Sequence, residues 1–163
     1  MPLLVVRHAP AGRRSAYTGD DRVRPLSARG KARAAELVGL LSRYHPHRAL
    51  SSPFTRCYET VRPIAGALGI PVESVDELAE GHGPDAVRLL HRMAGESAIL
   101  CTHGDVALAL LDGLVPGSDG TAKDSLRLQK GDVWVVRSIG DALTIVDHLG
   151  RAGGRVQKSA KGG

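Results

Sequence analysis

The segment Leu3-Leu4-Val5-Val6-Arg7-His8 carries the strongest information about the fold. Residues 3–6 are a continuous run of apolar, β-forming side chains, which is typical of a strand covered on both faces. A second such run, Ala98-Ile99-Leu100-Cys101, is followed at once by Thr102-His103-Gly104. Helical patterns lie between these runs. The alternation predicts an α/β fold, a three-layer αβα sandwich with a mostly parallel central sheet.

The remaining elements are placed by caps, apolar spacing and turn residues. In chain order we expect a helix capped by Ser27 and running to about Tyr44, a strand at 49–51, a helix starting at Ser52-Pro53 with the serine as its cap, an edge strand at 72–75, a helix opened by Pro84, a helix from 104 to 111, and a hairpin of 133–136 with 143–146.

Length and composition indicate one globular domain. The chain has 163 residues, of which 42% are hydrophobic and 24% charged. We assign residues 1–150 to the domain and expect the Gly-, Lys- and Arg-rich segment 151–163 to be a disordered basic tail. No apolar run has the roughly 20 residues of a membrane-spanning helix, and no basic segment precedes the first strand. We therefore expect a cytoplasmic protein without a membrane partner.

The formal charge of +5 favours an anionic ligand over a neutral one. Nucleic acid is the weaker candidate, because aromatic residues make up only 3% of the chain and offer few stacking surfaces. The two cysteines, Cys57 and Cys101, form no CxxC pair, so we expect reduced thiols rather than a disulfide or a zinc site. We expect no metal and no cofactor.

Basic and imidazole side chains follow three predicted strands. Arg7 and His8 follow the first strand, Arg56 lies in the first turn of the helix after the strand at 49–51, and His103 follows the strand at 98–101. Ligands in such folds bind beyond the carboxyl ends of the strands. We therefore expect these four side chains to form one pocket for a phosphate group.

The same residues carry a resemblance to the histidine phosphatase superfamily, the phosphoglycerate mutase-like proteins. Its Arg-His-Gly motif stands here as Arg7-His8-Ala9, and its late His-Gly motif as His103-Gly104. Leu26-Ser27-Ala28-Arg29-Gly30 and the segment from Ser52 through Arg56 to Thr60 match two further motifs in the family's order. Within the superfamily the chain looks most like the short SixA-type phosphohistidine phosphatases.

The resemblance implies a metal-independent hydrolase in which His8 becomes transiently phosphorylated. It also implies that Arg7, Arg56 and His103 bind the phosphate, and we add Gly104 and Arg14 as candidate binding residues. A neutral imidazole suits this attack, because it is not repelled by a phosphate dianion. By position, Glu80 is the candidate proton donor and Glu77 its competitor.

Several questions stay open from the sequence. The loops at 9–26 and 69–83 are too short for the helical cap of the sugar-phosphate mutases, which favours phosphohistidine on a protein as the substrate. Small phosphate esters or nucleotides are the alternative, and a functional Glu80 would favour them, since an alkoxide is a poor leaving group. A non-catalytic module that binds phosphorylated ligands is a rival. The loop arginines either grip substrate or are merely solvated: Arg13, Arg14, Arg22 and Arg24.

Overall fold

The computed structural model describes residues 1–117, 120–150 and 155–157. Its strands are β1 (Leu3–Arg7), β2 (Arg48–Ser51), β3 (Val72–Ser74), β4 (Ala98–Thr102), β5 (Val133–Ile139), β6 (Ala142–Leu149) and β7 (Arg155–Gln157). Its α-helices are α1 (Ala28–Ser42), α2 (Thr55–Leu68), α3 (Gly83–Arg92), α4 (Gly104–Leu114) and α5 (Gly120–Leu126). Short 3-10 turns lie at Arg14–Ala16, Asp21–Val23 and Asp76–Leu78.

The strands form one sheet in the order β3-β2-β4-β1-β5-β6-β7. Strands β1 to β4 pair in parallel, and β5, β6 and β7 extend the sheet by antiparallel pairing. Since β6 runs in the same direction as β1, five of these strands share one direction. The prediction of a mostly parallel sheet is confirmed.

The alternation of side chains along β1 divides the core into two layers. Leu3 and Val5 face one side and pack in a cluster with residues of α3 and α4. Leu4 and Val6 face the other side and pack with residues of α1 and α2. Both faces of the strand are buried, because successive side chains of a strand point to opposite faces and each face carries a helical layer. This is the predicted αβα sandwich.

Helix α1 begins where the sequence predicts, because the Ser27 hydroxyl accepts a hydrogen bond from the Gly30 N–H at 3.2 Å. It ends at Ser42, slightly before the expected Tyr44. The assignment of Ser52 as the cap of α2 was wrong. That helix begins at Thr55 with Phe54 in the capping position and no side-chain cap. Ser52 instead directly follows β2, and its hydroxyl contacts the ring of His103.

Most of the predicted tail, residues 151–154 and 158–163, lies outside the described residues. The exception is β7, which pairs with β6 through His148 opposite Gln157 and Leu149 opposite Arg155. Within the part of the chain that is described, no helix is both long enough and apolar enough to cross a membrane.

Candidate active site

The two histidines of the predicted pocket meet because their strands are neighbours in the sheet. Strands β1 and β4 pair in parallel with Arg7 opposite Thr102. His8 and His103 are the next residues in the chain, so both lie at the same edge of the sheet. Their ring centroids are 5.4 Å apart, with the rings edge to face. Residues separated by almost a hundred positions are thus in direct contact, as parallel strand ends allow.

His8 is held in one tautomer by its own backbone. Its Nδ1 lies 2.8 Å from the carbonyl oxygen of Ala9, which only accepts hydrogen bonds, so Nδ1 carries the hydrogen and Nε2 keeps its lone pair. The side chain is buried. Burial is the main cause that lowers the pKa of His8 to about 3, and the neighbouring His103, Arg56 and Arg7 lower it further. The imidazole is therefore neutral near pH 7.

Ala9 occupies the position where the family's motif has glycine. Its methyl group is fully buried and packs in a small cluster with Ala11, Leu26 and Ala34. Its N–H donates to the Thr60 hydroxyl at 3.0 Å. The alanine therefore fits the fold, and its N–H is held by a side chain of α2.

Arg56 is fully buried and forms the cationic wall of the site. Its Nη2 donates to Glu80 Oε1 at 2.6 Å and to Asp21 Oδ2 at 3.2 Å, and its Nη1 donates to the Asp21 carbonyl oxygen at 2.8 Å. The guanidinium also lies over the Phe54 ring, 4.9 Å from its centroid. Buried charges need such partners, because an isolated ion in the interior is strongly disfavoured.

Glu80 reaches the site and Glu77 does not. Glu80 Oε1 lies 2.6 Å from Arg56 Nη2 and 3.4 Å from His103 Nδ1, and both carboxylate oxygens accept from Arg14. Glu77 instead pairs with Arg92 away from these residues. Of the two carboxylates that the sequence left in competition, only Glu80 has the geometry of a pocket residue.

The loop that carries Glu80 is tied to the start of α4. Gly81 adopts a positive φ of 81°, a conformation that glycine takes without strain. Its N–H donates to Asp105 Oδ2 at 2.8 Å. This hydrogen bond holds the residue next to Glu80 against the helix that follows His103.

His103 is oriented by the residue that sequence reasoning took for a helix cap. Its Nε2 lies 2.8 Å from Ser52 Oγ, and the same oxygen accepts the Phe54 N–H at 3.2 Å. The direction of the hydrogen bond between the Ser52 hydroxyl and Nε2 depends on which ring nitrogen carries the proton. The Nδ1 of the ring is buried without a hydrogen-bond partner and faces Glu80. The thiol of Cys57 also lies 3.5 Å from Nε2.

Arg7 lies against the first turn of α4. Its Nη1 donates to the Leu128 carbonyl oxygen at 3.0 Å, while its Nε is buried without a partner. A Cβ atom at Gly104 would stand 2.9 Å from the Arg7 Cζ and Nη2 atoms, so the close approach of the guanidinium requires glycine there. Burial and the nearby charge of Arg127 lower the pKa of Arg7.

These side chains surround a cavity of about 380 Å³ at the carboxyl ends of β1, β2 and β4. Its lining contains five cations and two carboxylates, a balance that suits an anion. The lining residues are Arg7, His8, Arg14, Arg24, Arg56, Glu80, His103, Gly104, Asp105 and Lys130. In the described part of the chain, no three His, Cys, Asp or Glu side chains are grouped as a metal site.

The basic loop contributes two of its four arginines to this cavity. Arg14 bridges Glu80 and Asp21 from the solvent side. Arg24 is buried and donates to Asp21 Oδ1 at 2.9 Å and to the Ala11 carbonyl oxygen at 2.7 Å. Arg22 pairs with Asp20 on the surface instead, and Arg13 is exposed and does not line the cavity.

Sequence reasoning missed Asp21, Ser52 and Lys130. Asp21 contacts Arg14, Arg24 and Arg56, so one carboxylate organises three of the cations. An acidic residue inside an arginine-rich loop is the only signal that could have indicated it. Lys130 lies shortly before β5, and no motif in that segment indicated a role for it. Ser52 is the first residue of the family's serine-to-threonine segment, but its contact with His103 spans 51 positions and leaves no local pattern.

The chain belongs to the histidine phosphatase superfamily (branch 1), whose model matches residues 3–89. The chain is also 34% identical over 157 residues to an 8-oxo-(d)GTP phosphatase of Mycolicibacterium smegmatis. That match covers 90% of this chain and 47% of the relative, so the chain spans less than half of the relative's length.

Solved structures share the fold at lower identity. A SixA protein from Agrobacterium tumefaciens superposes with a TM-score of 0.76 at 22% identity, covering 91% of this chain and 97% of that one. The protein histidine phosphatase SixA in complex with tungstate gives a TM-score of 0.76 at 21% identity, covering 93% and 98%. An alpha-ribazole phosphatase from Shigella flexneri gives 0.71 at 17% identity, covering 89% and 94%.

Proposed function

We propose that this protein is a metal-independent phosphatase that works through a phosphohistidine on His8. The observation that carries the proposal is the state of that side chain. Its Nδ1 is bound to the Ala9 carbonyl oxygen, its Nε2 keeps a lone pair, and its pKa is lowered to about 3. A buried neutral imidazole surrounded by cations is a suitable nucleophile toward a phosphate dianion.

The reaction has two steps. In the first, which starts from the protonated carboxyl form of Glu80, the Nε2 lone pair of His8 attacks phosphorus, the bond from phosphorus to the leaving oxygen breaks, and that oxygen takes the Glu80 proton. In the second, a water molecule attacks the phosphohistidine, the N–P bond breaks, and the Glu80 carboxylate takes the proton that the water loses. The free phosphate then leaves, and both side chains return to their starting states.

The cations around His8 stabilise the charge on the transferred phosphoryl group. Arg7 and Arg56 each offer two N–H donors in a fixed fork, and His103 offers Nδ1–H. Gly104 supplies a backbone N–H at the start of α4, and Arg14 adds a positive charge on the solvent side of the cavity. Loss of one such donor costs on the order of 3 kcal/mol of transition-state stabilisation. To bind Arg56, the phosphate competes with Glu80, which lies 2.6 Å from it.

The position of Glu80 favours a phosphate ester as the substrate. The carboxylate lies beside Arg56 and His103, two of the side chains that we propose to bind the phosphate. An ester needs this acid far more than a phosphorylated imidazole does, because an alkoxide leaves poorly without a proton. Nucleotides are the ester class that we favour, and the identity with the mycobacterial 8-oxo-(d)GTP phosphatase supports that choice.

Phosphohistidine on a protein is the second candidate, and the short loops favour it. Residues 9–26 fold into only two 3-10 turns, Arg14–Ala16 and Asp21–Val23, and residues 69–82 into β3 and one further turn. Neither segment forms a helical cap over the site, so a side chain carried by another protein has access. The likeness in fold to SixA is consistent with this candidate.

The test uses 4-nitrophenyl phosphate in the presence of EDTA. The wild type should turn over, whereas His8→Ala should lose at least 10³-fold in kcat/KM. His91→Ala, which removes an exposed histidine of α3, is the matched control and should keep full activity. Equal turnover by His8→Ala would overturn the proposal. Tight phosphate binding by the wild type without turnover of any phosphate ester or phosphohistidine would instead support a non-catalytic binding module.

A further inference from the structure

Residues 128–132, which lead into β5, hold both the backbone and the side chain of Arg7. The Arg7 N–H donates to the Asp132 carbonyl oxygen at 3.1 Å, and the Arg7 Nη1 donates to the Leu128 carbonyl oxygen at 3.0 Å. In the opposite direction, the Gly131 N–H donates to the Arg7 carbonyl oxygen at 3.0 Å. The direction of the Arg7 guanidinium therefore depends on the conformation of this segment.

The carboxylate of Asp132 closes the segment into a tight turn. Asp132 Oδ2 accepts the Gln129 N–H at 2.9 Å, and the Asp132 N–H donates to the Gln129 carbonyl oxygen at 2.9 Å. Gly131 lies between these two residues with a positive φ of 84°, a backbone conformation that glycine adopts without strain. Loss of the carboxylate would remove the acceptor of the Gln129 N–H and loosen the turn.

His148 of β6 holds the Asp132 carboxylate from the side of the core. Its Nε2 lies 3.0 Å from Asp132 Oδ2, and the two side chains are only 2% and 4% exposed. Because an ionised carboxylate only accepts hydrogen bonds, Nε2 carries the hydrogen in this pair. Among the described residues, the other ring nitrogen of His148 has no hydrogen-bond partner. The polar contact of the ring is thus directed at Asp132, and it keeps a buried charge paired.

Asp132 influences Arg7 without reaching the reacting atoms. It is buried and is not among the described residues that line the catalytic cavity, whereas Arg7 does line it. Burial and the charge of Arg127 lower the pKa of Arg7, and the negative charge of Asp132 acts in the opposite direction. The hydrogen bonds of the turn and this charge both connect Asp132 to the guanidinium.

We propose that Asp132, held by His148, is a positioning residue of the phosphatase reaction and acts through Arg7. The inference rests on the proposed function and names the turn that aims one of the two phosphate-binding arginines. By fixing the Leu128 and Asp132 carbonyl oxygens, the turn keeps the Arg7 guanidinium in the wall of the catalytic cavity. Donors that are fixed before the substrate arrives stabilise the transition state most, because they need no reorganisation during the reaction.

Binding of inorganic phosphate gives a readout that does not require turnover. Isothermal titration calorimetry compares the wild type with Asp132→Ala, which should weaken phosphate binding about tenfold or more. Asp132→Asn keeps an oxygen that can accept the Gln129 N–H, so its affinity should stay within about threefold of the wild type. Val136→Ala is the matched control, because it removes buried apolar atoms from β5 outside the turn. It should lower stability in chemical denaturation without changing the affinity for phosphate.

Two outcomes of the titration would overturn the inference. One is a wild-type affinity in folded Asp132→Ala, and the other is an equal loss of affinity in Val136→Ala. If Asp132→Ala does not fold, His148→Phe takes its place, because phenylalanine fills the space of the ring but removes the Nε2 donor. His148→Phe should weaken phosphate binding about fivefold, and an unchanged affinity would refute the role of the pair.

A double-mutant cycle tests whether Asp132 acts through Arg7. The change in kcat for 4-nitrophenyl phosphate caused by Asp132→Ala is measured in the wild type and in Arg7→Ala. In the wild type, kcat should fall about tenfold or more. In Arg7→Ala the same substitution should change kcat by less than about threefold, because the positioned side chain is already absent. Equal losses in the two backgrounds would overturn the inference.

The inference and the proposed function fail in distinguishable ways. If His8→Ala turns over 4-nitrophenyl phosphate as fast as the wild type, the proposed mechanism is wrong, while the phosphate titration still measures the effect of Asp132 on the anion site. If His8→Ala is inactive but Asp132→Ala keeps the phosphate affinity and the kcat of the wild type, the mechanism stands and Asp132 only stabilises the fold.

Discussion

Replacement of Glu80 by glutamine should separate esters from phosphoramidates as substrates. Glutamine keeps the size and the carbonyl oxygen of the side chain but removes the proton that a carboxyl group donates. The leaving nitrogen of a phosphoramidate is already protonated, so its cleavage does not need Glu80. An alkyl phosphate releases an oxygen that must be protonated, so the cleavage of an alkyl phosphate needs the acid form of Glu80.

The contacts of Glu80 set the expected size of the effect. General acid catalysis contributes about 10²- to 10⁴-fold, which corresponds to about 3–5 kcal/mol. The fold should tolerate the change. Arg56 keeps its contact with Asp21 at 3.2 Å and a polar acceptor at position 80, so the loss of stability should be about 1 kcal/mol.

The assay compares kcat for glycerol phosphate and for phosphoramidate in the wild type and in Glu80→Gln. We expect a fall of at least 10²-fold with the ester and less than tenfold with the phosphoramidate. Glu77→Gln is the control, because Glu77 pairs with Arg92 outside the cavity, and it should not alter either rate. Equal losses on both substrates would refute the role of Glu80 as a leaving-group acid.

Two further predictions concern pH and the wall beside Arg7. Because burial holds the pKa of His8 at about 3, below the 6.5 of an unfolded histidine, the unfolded chain binds more protons between these values. Stability should thus fall as the pH drops below 6.5, by about 1.4 kcal/mol per pH unit from this group, and chemical denaturation at pH 7 and 5 should show a smaller difference in His8→Asn. Gly104→Ala would push a methyl group to 2.9 Å from the Arg7 guanidinium and should lower kcat/KM about 10²-fold in a steady-state phosphatase assay, whereas Gly113→Ala on the same helix, with 3.4 Å to its nearest neighbour, should have little effect. If the difference in stability between pH 7 and pH 5 were the same in the wild type and in His8→Asn, the pH argument would be contradicted. Full activity in Gly104→Ala would contradict the argument about Arg7.

The central strands and the position of the histidines were predictable from local patterns. Residues 3–6 and 98–101 are continuous apolar runs because both faces of β1 and β4 are covered by helices, and a run of this kind is visible in the sequence without knowledge of the partners. The rule that ligands bind beyond the carboxyl ends of parallel strands then places His8 and His103 at one edge of the sheet.

Long-range packing, in contrast, selected the partners of those histidines. The capping pattern at Ser52-Pro53 was misread, since the hydroxyl of Ser52 contacts a ring 51 positions away rather than its own helix. Glu80 and Glu77 are three residues apart, and only the folded structure shows that Glu80 contacts Arg56 while Glu77 pairs with Arg92.

The sequence by itself therefore determines the central strands of the sheet and the chemical groups at its edge. Burial on two faces and position at a strand end both leave a local pattern that can be recognised in the sequence. The three cations that contact Asp21, the tautomer of His8 and the cavity at the strand ends exist only once the chain is folded. Each of them depends on contacts between segments far apart in the chain, and such contacts have no spacing that can be read in advance.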